Sequence, residues 1–177
     1  MGDDTTKPIK LYTYDPQWAQ DFETERRKIQ AVIGSCVAAI EHIGSTAVPG
    51  IRSKPLIDLM VGLHQLDDAP QTYDALERLG YVYVQHYEEI IPERRFFYKD
   101  RGKIRTHNLH MVEQGSQFWE EHLLFRDYLR DHPETAREYE ALKFALAAEH
   151  QTDRPAYSGA KGEFVAAVLK RARATER

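Results

Sequence analysis

The order of patterns along this chain predicts an α+β fold: a small mixed β-sheet with helices packed on one face, followed by a C-terminal helical half. Three observations carry that expectation. Up to about residue 115, short runs rich in β-formers alternate with Gly- and Pro-bearing turns and helical stripes. After Gly115 only helical periodicity remains. The chain is 177 residues long, enough for one full core, and contains no internal repeat or low-complexity segment.

The elements follow in order. Residues 1–13, opening "MGDDTTKPIK", read as a loose lead-in, and the whole of 1–177 as one domain. "DPQW" starts a helix, with Asp15 capping free N–H groups and Pro16 at the first helical position. Trp18, Phe22, Ile29, Val32 and Ile33 form its apolar stripe. "VAAIEHI" reads as a strand ending at Gly44-Ser45, followed by the turn-rich "TAVPGIRSK" and the strand "PLIDLMVGL". A helix around Tyr73, Leu76 and Leu79 stops at Gly80. "YVYVQHYEEII" reads as a further strand, and "RRFFYKDRGKIRTHNLHMVE" as a hairpin turning at Asp100-Arg101-Gly102. The sheet-containing half thus covers about 14–115, and the helical half about 116–173 in segments near 116–130, 134–149 and 159–173.

Composition narrows the function classes. A net charge of −4 argues against a general polyanion-binding surface, so nucleic acid is not expected as a partner, although a local basic cleft fits inside an acidic chain. The single cysteine, Cys36, makes an intramolecular disulfide impossible and reads as a packing residue. No apolar run approaches membrane-spanning length and no signal-peptide pattern is present, so the expectation is a cytoplasmic protein with no membrane partner.

Strand parity separates core from candidate cleft. In "LIDLMVGL" Ile57, Leu59, Val61 and Leu63 share one face, whereas Asp58 and Met60 share the other. Asp is depleted in strands, so a carboxylate in mid-strand points to an open cleft. In "RTHNLHMVE" Leu109 and Met111 share a parity with His107 and Glu113, while Asn108 and His110 take the opposite one. His107 and His110, three apart, cannot aim at one metal from a regular strand, which argues against a ready-made zinc site.

"GST" after a strand places backbone N–H groups and a hydroxyl where a phosphate can approach, and Asp58 follows thirteen residues after Ser45. Cations to neutralise phosphate oxygens stand in two clusters, Arg52 with Lys54 and Arg94 with Arg95, followed by Lys99 and Lys103. Arg94 and Arg95 are adjacent on a strand, so at most one of them enters the cleft. Trp119, Phe125, Tyr128 and Tyr139 read as core rather than as a platform for bases.

"HIGSTAVPGIRSKPLIDLMVGL", "RRFFYK", "RTHNLHMVEQGS", "HLLFRDYLRDHPE" and "YSGAKGEFV" together resemble the GrpB family, a branch of the DNA polymerase beta-like nucleotidyltransferase superfamily. The resemblance runs from about Tyr14 to Lys170. It implies a phosphate-contacting turn at Gly44 and Ser45 and a first metal carboxylate at Asp58. Met60 departs from the second carboxylate of the superfamily pattern, and no acidic residue stands mid-strand for the third. His110 is the best substitute and Glu113, at the strand end, a weaker one. The resemblance also marks Lys161 and Tyr157 as residues closing the cleft.

The expected function is a nucleotidyltransferase-fold enzyme that binds a nucleoside triphosphate with a divalent metal (Mg²⁺ or Mn²⁺) and transfers a nucleotidyl group to an unknown small acceptor. Asp58, His110 and His107 are its candidate catalytic residues. Gly44, Ser45, Lys54, Arg94, Arg95, Lys161 and Tyr157 are its candidate phosphate- and nucleotide-binding residues. Asp58 and His110 are the candidate metal ligands. The alternatives are a non-catalytic nucleotide- or partner-binding module linked to coenzyme A metabolism, and a metal-dependent hydrolase using His42, His107, His110 and Asp58.

Overall fold

A computed structural model describes residues 2–175. Its centre is a six-stranded mixed sheet. The strands are β1 (Asp3–Asp4), β2 (Val37–Ile43), β3 (Ile57–Leu63), β4 (Val82–Tyr83), β5 (Arg94–Arg101) and β6 (Ile104–Glu113), ordered β2-β3-β6-β5-β4 with β1 also on β6. β3 and β6 are parallel and the other pairs antiparallel. The hairpin turns at Gly102, whose φ of 63° suits a residue without a side chain.

One face of the sheet carries α1 (Gln17–Ile33) and α2 (Tyr73–Arg78). Asp15 Oδ1 accepts the Gln17 N–H at 2.9 Å, which starts α1 where expected. Trp18, Ile29 and Ile33 meet Ile57, Leu59, Val61, Leu63, Leu109 and Met111 in the main core. Full burial of each such side chain contributes about 1.5–3 kcal/mol. Two details of the α1 stripe differ from expectation. Val32 is largely exposed, and Glu25 is buried, held by Lys99 Nζ at 2.6 Å and Lys28 Nζ at 3.0 Å.

The helical half forms the second layer, with α3 (Gln117–Asp131), α4 (Pro133–His150), α5 (Arg154–Gly159) and α6 (Gly162–Thr175). Ser116 Oγ accepts the Trp119 N–H and caps α3. Trp119 then lands on the sheet against Met60, Ile43 and Val112. Gly62 makes room for it, since a Cβ there would sit 2.7 Å from the Trp119 ring. α3 and α4 also grip the backbone around the Gly-Ser turn. Arg126 donates to Glu41 and to the His42 carbonyl, Arg130 to the Ala47 carbonyl, and Lys143 to the Arg52 carbonyl.

Two expectations fail here. "YVYVQHYEEII" is strand only at Val82–Tyr83, after which Gln85–Glu88 turn as a 3₁₀ segment. β-propensity loses because the turn packs Tyr87 against Phe96, the rings tilted by 31° with centroids 5.3 Å apart. The lead-in is not loose throughout, because Asp3 and Asp4 pair with Arg105 and Ile104 of β6. Among the described residues no helix is long and apolar enough to cross a membrane.

Candidate functional site

A cleft of about 580 Å³ opens where the sheet, the Gly-Ser turn and the helical half meet. Strand register brings its floor together. Asp58 of β3 lies beside Asn108 of β6, and His110 lies between Met60 of β3 and Phe96 of β5. Asn108 Nδ2 donates to Asp58 Oδ1 at 2.9 Å, and His110 Nε2 stands 4.0 Å from the same oxygen. Gly44 closes against the other carboxylate oxygen, with φ 71° and no room for a Cβ.

The Gly-Ser turn is anchored from behind. Thr46 Oγ1 donates to the Leu56 carbonyl at 3.0 Å, so it accepts from His42 Nε2, also at 3.0 Å. His42 stacks on Phe22, and burial pulls its pKa down to about 4. This histidine supports the turn and does not reach the cleft lining.

Arg94 enters the cleft and Arg95 does not, as adjacent strand positions require. The Arg94 guanidinium lies over the rings of Tyr87, Phe96 and Phe118, and its Nη1 is 3.5 Å from His110 Nδ1. A guanidinium only donates, so Nδ1 is the accepting nitrogen and Nε2–H faces Asp58. Burial lowers the His110 pKa, against the pull of Asp58 and with help from Arg94, which favours the neutral imidazole. For Asp58, burial raises the pKa, but His110, Asn108 and Lys54 outweigh it and hold the carboxyl below its ordinary value.

The helical half supplies the opposite wall. Tyr157 is 1% exposed, and both Lys161 Nζ and Lys54 Nζ lie over its ring, at 4.3 and 5.3 Å. Burial, with Lys54 nearby, lowers the Lys161 pKa to about 8. Burial lifts the Tyr139 hydroxyl to about 12, with Ser45 beside it drawing it back. Five cationic side chains (Lys54, Arg94, Arg105, Arg154, Lys161) and two carboxylates (Asp3, Asp58) line the cleft. Such a balance attracts anions. Arg94 Nε and Asn108 Oδ1 are buried without a hydrogen-bond partner among the described residues, a mark of a site that a ligand or water completes.

Of the expected site residues, Gly44, Ser45, Lys54, Asp58, Arg94, His110, Tyr157 and Lys161 meet in this cleft. His107 does not. It lies on the α1 face, where burial takes its pKa to about 4 against the pull of Glu25. Arg95 donates to the Pro92 carbonyl and pairs with Glu88 at 3.3 Å. Glu113 accepts the Leu66 N–H outside the cleft. Met60 is fully buried under Trp119, so the missing second carboxylate leaves an apolar contact with α3 rather than a gap in the cleft. Sequence reasoning missed Asp3, Arg154 and Tyr139 as lining residues. Asn108 was legible by its parity with His110.

The donor set does not fit a resident metal. Asp58 and His110 stand alone, and among the described residues no group of three His, Cys, Asp or Glu side chains could hold an ion.

The fold and site thus define a mixed-sheet α/β protein with a cationic cleft built on one strand carboxylate. The family model described as "GrpB protein" matches residues 8–171, and the chain belongs to the GrpB family. It is 40% identical over 172 residues to the UPF0157 protein PA4798 of Pseudomonas aeruginosa, covering 96% of this chain and 69% of that one. It is 38% identical over 159 residues to the UPF0157 protein YqkA of Bacillus subtilis, covering 90% of this chain but only 46% of YqkA. The crystal structure of the conserved protein GrpB from Enterococcus faecalis superposes with a TM-score of 0.82 at 33% identity, covering 92% of this chain and 96% of that one.

Proposed function

We propose that this cleft binds the phosphate chain of a nucleoside triphosphate and transfers its nucleotidyl group to a small acceptor. The observation that carries the reading is the convergence on one cleft of an ionised carboxylate, Asp58, with the Gly44-Ser45 turn and the cations Lys54, Arg94 and Lys161. Transfer of this kind is governed by positioning and by neutralising charge on phosphate oxygens. Lys161 and Arg94 meet the phosphates. Asp58 accepts the proton of the acceptor's attacking hydroxyl or amine as pyrophosphate leaves. Asn108 donates to Asp58, and His110 turns Nε2–H toward it from 4.0 Å and helps keep it ionised, a positioning task rather than that of a base. Because the donors do not fit a resident metal, no step runs through one.

Isothermal titration of ATP, CTP and GTP, each with and without Mg²⁺ or Mn²⁺, tests binding. At least one nucleotide is expected to bind, and Asp58→Ala is expected to alter its affinity. Binding of none, or identical binding by Asp58→Ala, defeats the proposal. The lone carboxylate also favours a second reading, a nucleotide-binding module without turnover. Pyrophosphate release in the presence of candidate acceptors separates the two.

A further inference from the structure

Asp3 is only 7% exposed, and carboxylates are rarely buried without cations. Strand β1 sets it opposite Arg105 and into the lining of the cleft. Its Oδ2 lies 3.4 Å from Lys54 Nζ and 3.2 Å from Arg154 Nε, and its Oδ1 accepts from Arg154 Nη2 at 3.3 Å. Arg154 also donates to the carbonyls of Asp4, Thr5 and Lys7, so one guanidinium straps the segment down. Yet β1 itself is held to the sheet by only two register pairs.

The cations that Asp3 holds belong with the phosphate seat. Lys54 and Lys161 share the Tyr157 ring, and only Lys54 has a carboxylate within ion-pair distance among the described residues. A carboxylate oxygen and a phosphate oxygen offer Lys and Arg the same chemistry, and a phosphate carries more charge.

We infer that Lys54 and Arg154 form a second anion subsite for an outer phosphate of a polyphosphate ligand, and that Asp3 fills this subsite until the ligand displaces it. This rests on the phosphate-binding reading above. A built-in competitor lowers the apparent affinity by the fraction of molecules whose seat is open. It also couples ligand binding to release of residues 3–7 from the sheet.

Inorganic tripolyphosphate, titrated calorimetrically without nucleotide, is the probe. Asp3→Asn keeps the shape and removes the charge, and is expected to bind about tenfold more tightly than the native chain. Asp3→Ser repeats the comparison with a smaller uncharged side chain, should the first variant fold poorly. Removing a nearby negative charge raises affinity even with the strand still docked, so a second readout decides displacement. Tripolyphosphate is expected to speed amide hydrogen exchange at Thr5, whose N–H donates to the Lys103 carbonyl in the docked segment. Equal or weaker binding by both variants, or unchanged or slower exchange at Thr5, overturns the subsite while leaving phosphate binding intact. Absence of tripolyphosphate binding in all three proteins removes the phosphate reading and the subsite together.

Discussion

Gly44 and Asp58 touch where β2 hands over to the Gly-Ser turn: a Cβ on Gly44 would run into Asp58 Oδ2. Gly44 also holds φ 71° and ψ −174°, a backbone region open essentially to glycine. Gly44→Ala is therefore expected to destabilise by about 2–4 kcal/mol, from backbone strain and the collision together. In an Asp58→Ala background Oδ2 and Cγ are gone and only the Cβ at 3.1 Å remains, so the same substitution should cost measurably less. A double-mutant cycle from urea unfolding checks this, and additive costs would show that the contact does not matter.

Met60→Asp adds a second carboxylate two residues from Asp58, but the site is fully buried beneath Trp119. The variant is expected to lose roughly 3–5 kcal/mol, because a charge is left buried and unpaired. It should gain no affinity for Mn²⁺. Thermal melting and Mn²⁺ titration of the folded variant check both parts.

Phosphate affinity should depend on pH through Lys161. Its pKa of about 8 lies below the ordinary lysine value, so the ammonium is lost as pH rises through that point. Tripolyphosphate affinity is expected to fall between pH 7 and 9 and to fall less steeply in Lys161→Met. At pH 7 that variant should already bind about tenfold more weakly, as loss of one charge-assisted hydrogen bond predicts.

Acid should unfold the protein early. His42, His107 and His122 are each pulled by burial to about 4, below the ordinary 6.5. Between those values the unfolded chain binds protons that the folded chain refuses, so stability is present above pH 6.5 and is lost as pH falls toward 4. Melting temperatures from pH 7.5 to 4.5 should decline. His122→Phe, which preserves the stack on Phe118, should make the decline shallower.

Much of the cleft was legible because a strand alternates by two. The parity of "LIDLMVGL" put Asp58 opposite the Ile57–Leu63 face, and the parity of "RTHNLHMVE" put His110 with Asn108 and away from His107. The same rule admitted only one of Arg94 and Arg95. Parity says which face a side chain takes but not what covers that face, so Met60 read as cleft although Trp119 seals it. Nor does any local pattern in "MGDDTTKPIK" show that Asp3 meets Arg154, 151 residues away.

The sequence by itself determined the sheet and helical halves, the Gly-Ser turn and the lone strand carboxylate. Periodicity, caps and turn residues act over a few neighbours, and those neighbours are written in order. Only the tertiary structure decided that α3 divides one sheet face into a buried end at Met60 and an open end at Asp58. It alone brought Asp3, Arg154 and Tyr139 to that open end. These are long-range choices, set by where α3 packs: Gly62 lets Trp119 reach the sheet, and Arg126 and Arg130 tie the helix to the turn.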